Sequence, residues 1–156
     1  MKVEYINPFI RSTKDVFGTM LGTEVQRGEI SLGRDNVRTS GIISLISFNG
    51  TVRGMIALVF PMATAEEVAR KLLGETGPIP EGDVADTMAE MANMIAGGAK
   101  ADFSNADGTP IVLGLPTVMR GSDARVDYPA GALWVDVFME SPLGRFSLHV
   151  TFPDAE

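Results

Sequence analysis

The sequence predicts an α+β fold in which two long helices and one short helix flank a sheet of about six strands. Stretches 39–60 and 132–152 are rich in β-branched and aromatic residues and are broken by turn residues, which is typical of antiparallel strands. The order of elements also repeats, because residues 8–60 and 82–152 each contain a helix, a strand and a two-stranded hairpin. We therefore expect one domain made of two pseudo-repeated units, joined by a short helix at 64–73.

The composition is that of a globular protein. The chain has 156 residues, of which 45% are hydrophobic and 21% are charged, and no apolar run approaches the ~20 residues of a membrane-spanning helix. The net charge of −7 argues against a nucleic-acid-binding surface, which needs Lys and Arg to neutralise phosphates. The N-terminal residues do not resemble a secretory signal, and the absence of cysteine excludes thiolate chemistry. We expect a cytoplasmic protein without a membrane or nucleic-acid partner.

The first unit begins with a helix. Asn7-Pro8 places proline at the first helical position, and apolar residues recur at roughly 3.6-residue spacing up to Gly22. A strand is expected at 24–32. Two further strands are expected within 39–60, because Asn49-Gly50 is the dipeptide best suited to a tight hairpin turn.

The connecting helix is marked at both ends. Thr64, with Glu67 three residues later, forms a capping box, and Gly74 ends the helix after Leu73. The stretch 74–80 is then a stiff connector.

The second unit starts with the longest helix, predicted at 83–103. After this helix we expect a turn, a strand, a polar loop and two more strands, at residues 105–110, 111–119, 121–131, 132–140 and 145–152.

The long helix carries a narrow polar stripe. At 100° per residue, Asp86, Glu90 and Asn93 fall within about 60° of one another, with Gly97 among them. A solvated helix face would give the same pattern. The surrounding residues are mostly alanine and glycine, however, and a surface without bulky side chains allows a partner to approach closely. Gly97-Gly98 likewise indicates close packing of another surface against this helix.

Two other patterns are weaker candidates. His149 lies on an alternating strand, on the side away from the core, where we expect no neighbours for a catalytic triad or a metal site. Residues 105–108 resemble a calcium loop, but Phe103 and Gly114 occupy the positions that require acids. We expect no metal site at either place.

The polar stripe belongs to a longer pattern that resembles the CheX/CheC/FliY family of chemotaxis phosphatases. The family's pattern is an acid or serine, three residues, Glu, two residues, Asn, twenty-two residues and Pro. Asp86, Glu90, Asn93 and Pro116 match its four positions. The order of helices and hairpins resembles the CheC-like fold over nearly the whole chain. The first helix has no Glu-x-x-Asn, so the resemblance is closest to the single-site CheX branch.

The resemblance implies a phosphatase that hydrolyses the aspartyl phosphate of a CheY-type response regulator. Magnesium would be held by the regulator, and this protein would need no cofactor of its own. Asn93 would orient the attacking water and Glu90 would pair with the regulator's active-site lysine. Asp86 and Gly97 would contact the partner, and Pro116 would be structural. The resemblance also implies a homodimer. A non-catalytic adaptor of the same fold, which binds a signalling or flagellar-switch protein, stays open as the alternative.

Overall fold

Three helices and nine strands make up the part of the chain that the computed structural model describes, which is residues 3–34, 36–50, 53–107, 111–121, 123–127 and 133–151. After a 3₁₀ turn at Val3–Ile6, the helices are α1 (Asn7–Leu21), α2 (Met62–Leu73) and α3 (Glu81–Asp107). The strands are β1 (Gln26–Arg34), β2 (Asn36–Thr39), β3 (Ile42–Gly50), β4 (Gly54–Phe60), β5 (Ile111–Leu113), β6 (Thr117–Arg120), β7 (Ala124–Asp127), β8 (Leu133–Glu140) and β9 (Phe146–Thr151). The predicted α+β class is confirmed.

A seven-stranded antiparallel sheet organises the molecule. Its order is β1-β8-β9-β4-β3, and β5 and β6 both pair with the free side of β3. The hairpin of the second predicted unit thus lies between two strands of the first. The helices pack on one face of this sheet, and the two-stranded ribbon β2-β7 packs on the other. The duplication of the two units stays a prediction.

Aromatic side chains join the helices to the sheet. Phe146 of β9 stacks between Phe17 of α1 and Phe60 of β4, with ring centroids 4.8 Å apart on both sides and interplanar angles of 3° and 4°. Such contacts add to the free energy gained by burying the rings. The stack therefore fixes α1 against the centre of the sheet.

Two buried serines hold α3 in place. Ser44 Oγ of β3 donates to the carbonyl of Met88 at 2.9 Å, and Ser12 Oγ of α1 donates to the carbonyl of Ile95 at 2.6 Å. Because the sheet and α1 each bond to α3 on its inner side, the opposite side of the helix faces outward.

The helix ends agree in part with the sequence predictions. Gly22 and Gly74 end α1 and α2 in the left-handed conformation, with φ of 59° and 68°. The capping box at Thr64 is wrong, because α2 begins two residues earlier, at Met62. Thr64 Oγ1 instead donates to the carbonyl of Arg145, at 2.9 Å, and so ties α2 to the sheet.

The predicted hairpin turn at Asn49-Gly50 is also wrong. Both residues lie in β3, opposite Val112 and Ile111 of β5. This non-local pairing keeps the backbone extended beyond Phe48, the last residue of β3 that pairs with β4. Residues 51 and 52 lie outside the described residues.

The second unit differs from the prediction at three places. Residues 105–107 form the end of α3 rather than the start of a turn. The apolar run 111–119 forms two strands, because the segment 114–116 contains Pro116, which has no N–H to donate to a ladder. Strand β7 lies inside the stretch 121–131 that we expected to be a loop; residues 128–132 lie outside the described residues.

Candidate functional site

The structure places the polar stripe on the outer face of α3. The apolar residues opposite the stripe are each 1% exposed or less: Val84, Met88, Met91 and Ile95. Asp86, Glu90 and Asn93 are exposed, and Gly97 is half-buried. The 3.6-residue period thus identified the outward face of this helix.

The three polar side chains of the stripe are available to a partner. Within the described residues, Asp86, Glu90 and Asn93 make no side-chain hydrogen bond or ion pair. Glu81, at the start of the same helix, does pair with Arg120, at 3.6 Å. Two carboxylates and one amide are therefore presented on a helix whose other side is fixed by the core.

Gly97 and Gly98 have different surroundings. A Cβ added at Gly97 would meet nothing within 4 Å, whereas one at Gly98 would overlap the hydroxyl of Ser12. The close packing expected for this pair therefore occurs at Gly98, against α1. Gly97 leaves open space beside the stripe.

A groove runs between the end of α2 and the first half of α3. Its volume is about 300 Å³. The sequence does not indicate that α2 adjoins the stripe, because the contact between α2 and α3 cannot be read from the periodicity of either helix alone. The groove is lined by Leu72, Leu73, Asp83, Asp86, Thr87 and Glu90.

Pro116 lies in the segment between β5 and β6, at the edge of the sheet. Gly114 N–H donates to the carbonyl of Ser47 at 2.8 Å, which fixes this segment to β3. Its neighbour Leu115 is 91% exposed. A structural role for Pro116 stays a prediction.

The expectation that His149 has no neighbours is wrong. Its Nδ1 lies 2.7 Å from Asp136 Oδ1 and its Nε2 lies 2.7 Å from Ser147 Oγ. The contact between His149 and Asp136 could have been predicted from the expected hairpin, because a turn at 141–144 places position 136 opposite position 149. The three groups have the order of a catalytic triad. However, β9 is paired with a strand on each side, so the backbone N–H groups near Ser147 belong to the sheet and do not form an oxyanion hole.

Outside the stripe, the described residues form another cavity but no metal site and no membrane-spanning helix. A cavity of about 480 Å³ lies near the Gly28–Glu29 end of β1, on the other side of the sheet from the stripe. Among the described residues, no three His, Cys, Asp or Glu side chains are grouped so as to hold a metal ion. No helix in the described ranges has the length and apolar character needed to cross a membrane.

Comparison with solved structures identifies the fold. A chemotaxis protein CheX from Desulfovibrio desulfuricans is 22% identical, with a TM-score of 0.86 over 96% of this chain and 99% of that chain. A CheC-like superfamily protein from Shewanella sp. PV-4 is 28% identical, with a TM-score of 0.84 over 97% and 99%. A Borrelia burgdorferi structure, solved as a CheX-CheY-BeF3-Mg²⁺ complex, is 22% identical, with a TM-score of 0.74 over 97% and 98%.

Comparison of sequences identifies the family. No curated protein sequence matches the chain. The model of the family described as chemotaxis phosphatase CheX matches residues 42–138, which is more than half of the 156 residues and includes α3. The chain therefore belongs to the CheX family of chemotaxis phosphatases.

Proposed function

We propose that this protein hydrolyses the aspartyl phosphate of a CheY-type response regulator by inserting Glu90 and Asn93 into the regulator's active site. The observation that carries the proposal is that Glu90 and Asn93 are exposed and have no side-chain partner among the described residues, on a helix that is hydrogen-bonded to the sheet and to α1 from its inner side. Membership of the CheX family supports the reaction class. The Borrelia burgdorferi relative, solved with CheY, BeF3 and Mg²⁺, supports the choice of partner.

Asn93 orients the attacking water in this proposal. An acyl phosphate beside magnesium is already reactive, so the remaining requirement is a water in line with the bond that breaks. The amide oxygen of Asn93 accepts a hydrogen bond from that water, and its N–H donates to a phosphoryl oxygen. The water oxygen bonds to phosphorus as the bond to the regulator's aspartate breaks, which releases phosphate and restores the carboxylate. Magnesium belongs to the regulator, and this chain contributes no cofactor.

Glu90 docks the helix by pairing with the regulator's active-site lysine. Glu90 and Asn93 are three positions apart on α3, so their side chains extend from the same face of the helix. A charge pair that is desolvated when the proteins meet is costly to break, because removal of one partner leaves the other charge buried and unpaired. Asp86 adds a lesser docking contact, Gly97 leaves clearance for the partner's surface, and Pro116 supports the adjoining strand.

The test is Asn93→Ala. Because this change removes the group that orients water but leaves Glu90, we expect the dephosphorylation rate to fall at least about tenfold while binding of the phosphorylated regulator is largely retained. The measurement is phosphate release from a purified phosphorylated regulator, with Gln26→Ala, an exposed amide on β1, as the matched control.

Two outcomes would contradict the proposal in different ways. An unchanged rate in Asn93→Ala would remove the water-orienting role. If the unaltered protein binds the phosphorylated regulator without shortening the lifetime of the phosphate, the protein is instead a non-catalytic adaptor.

We also propose that the protein is a homodimer and acts in the cytoplasm, where its substrate regulator would be found. Strand β1 ends the sheet order among the described strands, where its outer edge has no partner and can pair with a second copy.

A further inference from the structure

We infer that the groove between α2 and α3 binds a basic side chain of the response regulator, in addition to the lysine that pairs with Glu90. This inference rests on the proposed function and extends its docking surface onto α2. The groove adjoins the stripe directly, because Asp86 and Glu90 belong to both.

Leucines supply an apolar surface in the groove. Leu72 is half-buried against the core, and Leu73 is 47% exposed at the last position of α2. Gly74 then turns the chain away in the left-handed conformation, so the end of the helix stays open. Lys and Arg have long aliphatic stems that cover apolar surface while the charged group stays near water. A basic side chain therefore fits these leucines better than a short polar one.

Carboxylates supply the charge. Asp83 lies in the first turn of α3, and Asp86 and Glu90 follow along the same side of the groove. None of the three has a hydrogen-bonding or ionic side-chain partner in the described ranges. The nearby cation Arg70 of α2 is already engaged, since it pairs with Glu66 and Glu67 and donates to the carbonyl of Gly77. The groove is thus left negative by its own neighbours.

The position of the groove selects the regulator as the occupant. Asp83 and Glu90 are seven residues apart, which is about 10 Å along a helix. A domain of roughly 100 residues has a radius of gyration of about 13 Å. A regulator whose active site covers Asn93 and Glu90 therefore extends over the groove, and a basic residue on its surface there would meet both leucines and carboxylates.

The experiment reverses the charge at the end of the groove farthest from Asn93. We expect Asp83→Lys to raise the concentration of phosphorylated regulator needed for half-maximal rate at least about fivefold. The rate at saturation should stay within about twofold, because the groove contacts bind substrate and transition state alike. Leu73→Ser should raise the half-saturating concentration by a smaller factor. Glu140→Lys is the matched control, since Glu140 is exposed beside the cavity on the other side of the sheet and lies on β8, not on the β1 edge.

The dependence of the rate on ionic strength is a second test of the contact between Asp83 and the regulator's basic side chain. Added salt should raise the half-saturating concentration of the unaltered protein, and this dependence should be weaker in Asp83→Lys, because salt screens the attraction that the substitution removes. If Asp83→Lys does not fold, Asp83→Asn removes the charge without reversing it and should give an intermediate shift. Equal half-saturating concentrations for Asp83→Asn, Glu140→Lys and the unaltered protein would overturn the inference.

Failure of the groove and failure of the phosphatase are distinguishable. Binding to a regulator loaded with beryllofluoride measures docking without turnover. If the unaltered protein has no phosphatase activity but binds this regulator at least about fivefold more tightly than Asp83→Lys does, the proposed activity is wrong and the groove contact is supported. If the unaltered protein is active and Asp83→Lys binds this regulator with the same affinity, the proposed activity is supported and the groove contact is wrong.

Discussion

Asp86, Glu90 and Asn93 could be grouped from the sequence because helical geometry is local. Residues three, four and seven positions apart share a helix face whatever the rest of the chain does. The structure places all three on the exposed side of α3. Their availability could not be predicted in the same way, since it depends on which cations pair elsewhere, as Arg120 does with Glu81.

Gly97 and Gly98 show how far identical residues can differ in consequence. The sequence predicts that something packs closely against this pair, but the choice between them depends on the approach of α1. Ser12 lies against Gly98 and donates a hydrogen bond to the carbonyl of Ile95 there.

We expect opposite effects on stability from alanine at these two glycines. Gly98→Ala should lower the free energy of unfolding by about 1 to 3 kcal/mol, because the new methyl group overlaps Ser12 in a packed contact. Gly97→Ala should raise it by up to about 1 kcal/mol, because alanine is the better helix former and its methyl group meets open space. Urea unfolding of the two variants checks this, and similar losses in both would show that the surroundings assigned to them are incorrect.

At the scale of elements, local signals located most helices and strands, and non-local pairing caused the errors. Asn49-Gly50 has the composition of a turn, yet β5 pairs with it and keeps it extended. The ribbon β2-β7 joins Asn36–Thr39 to Ala124–Asp127, far apart in the chain, and no periodic pattern in either segment indicates such a partner. Both cases required knowledge of which segments meet.

The aromatic stack between α1, β9 and β4 should dominate the stability of the packing between helix and sheet. We expect Phe146→Ala to lower the free energy of unfolding by about 3 to 5 kcal/mol, because it removes a buried ring with a stacked neighbour on each side. Phe138→Ala is the matched control on the same hairpin, since Phe138 is 45% exposed. Denaturant unfolding of both variants measures the difference, and equal losses would contradict a dominant stack.

At the scale of the whole molecule, the two ends of the sheet differ. One end consists of β5 and β6, which have three and four residues and are separated by the segment containing Pro116. The other end is β1, which has nine residues and pairs only with β8 among the described strands. A long unpaired edge is the better template for adding another strand. The sequence does not indicate which edge is suited to a second copy, because that depends on the strand order.

Pairing of two copies along β1 would make a homodimer with one continuous sheet. Leu32 of β1 is 63% exposed, and a second copy at this edge would shield it from water. We expect the unaltered protein to sediment as a dimer. Leu32→Lys should raise the dissociation constant of the dimer at least about tenfold, because the substitution places two like charges at the shared edge. The activity per chain should be retained, since the stripe lies on α3 in the helix layer and not on β1. Sedimentation equilibrium at several concentrations provides the measurement, with Val112→Lys at the opposite edge, on β5, as the control. A monomer at every concentration would exclude the dimer, and a dimer unaffected by Leu32→Lys would place its interface elsewhere.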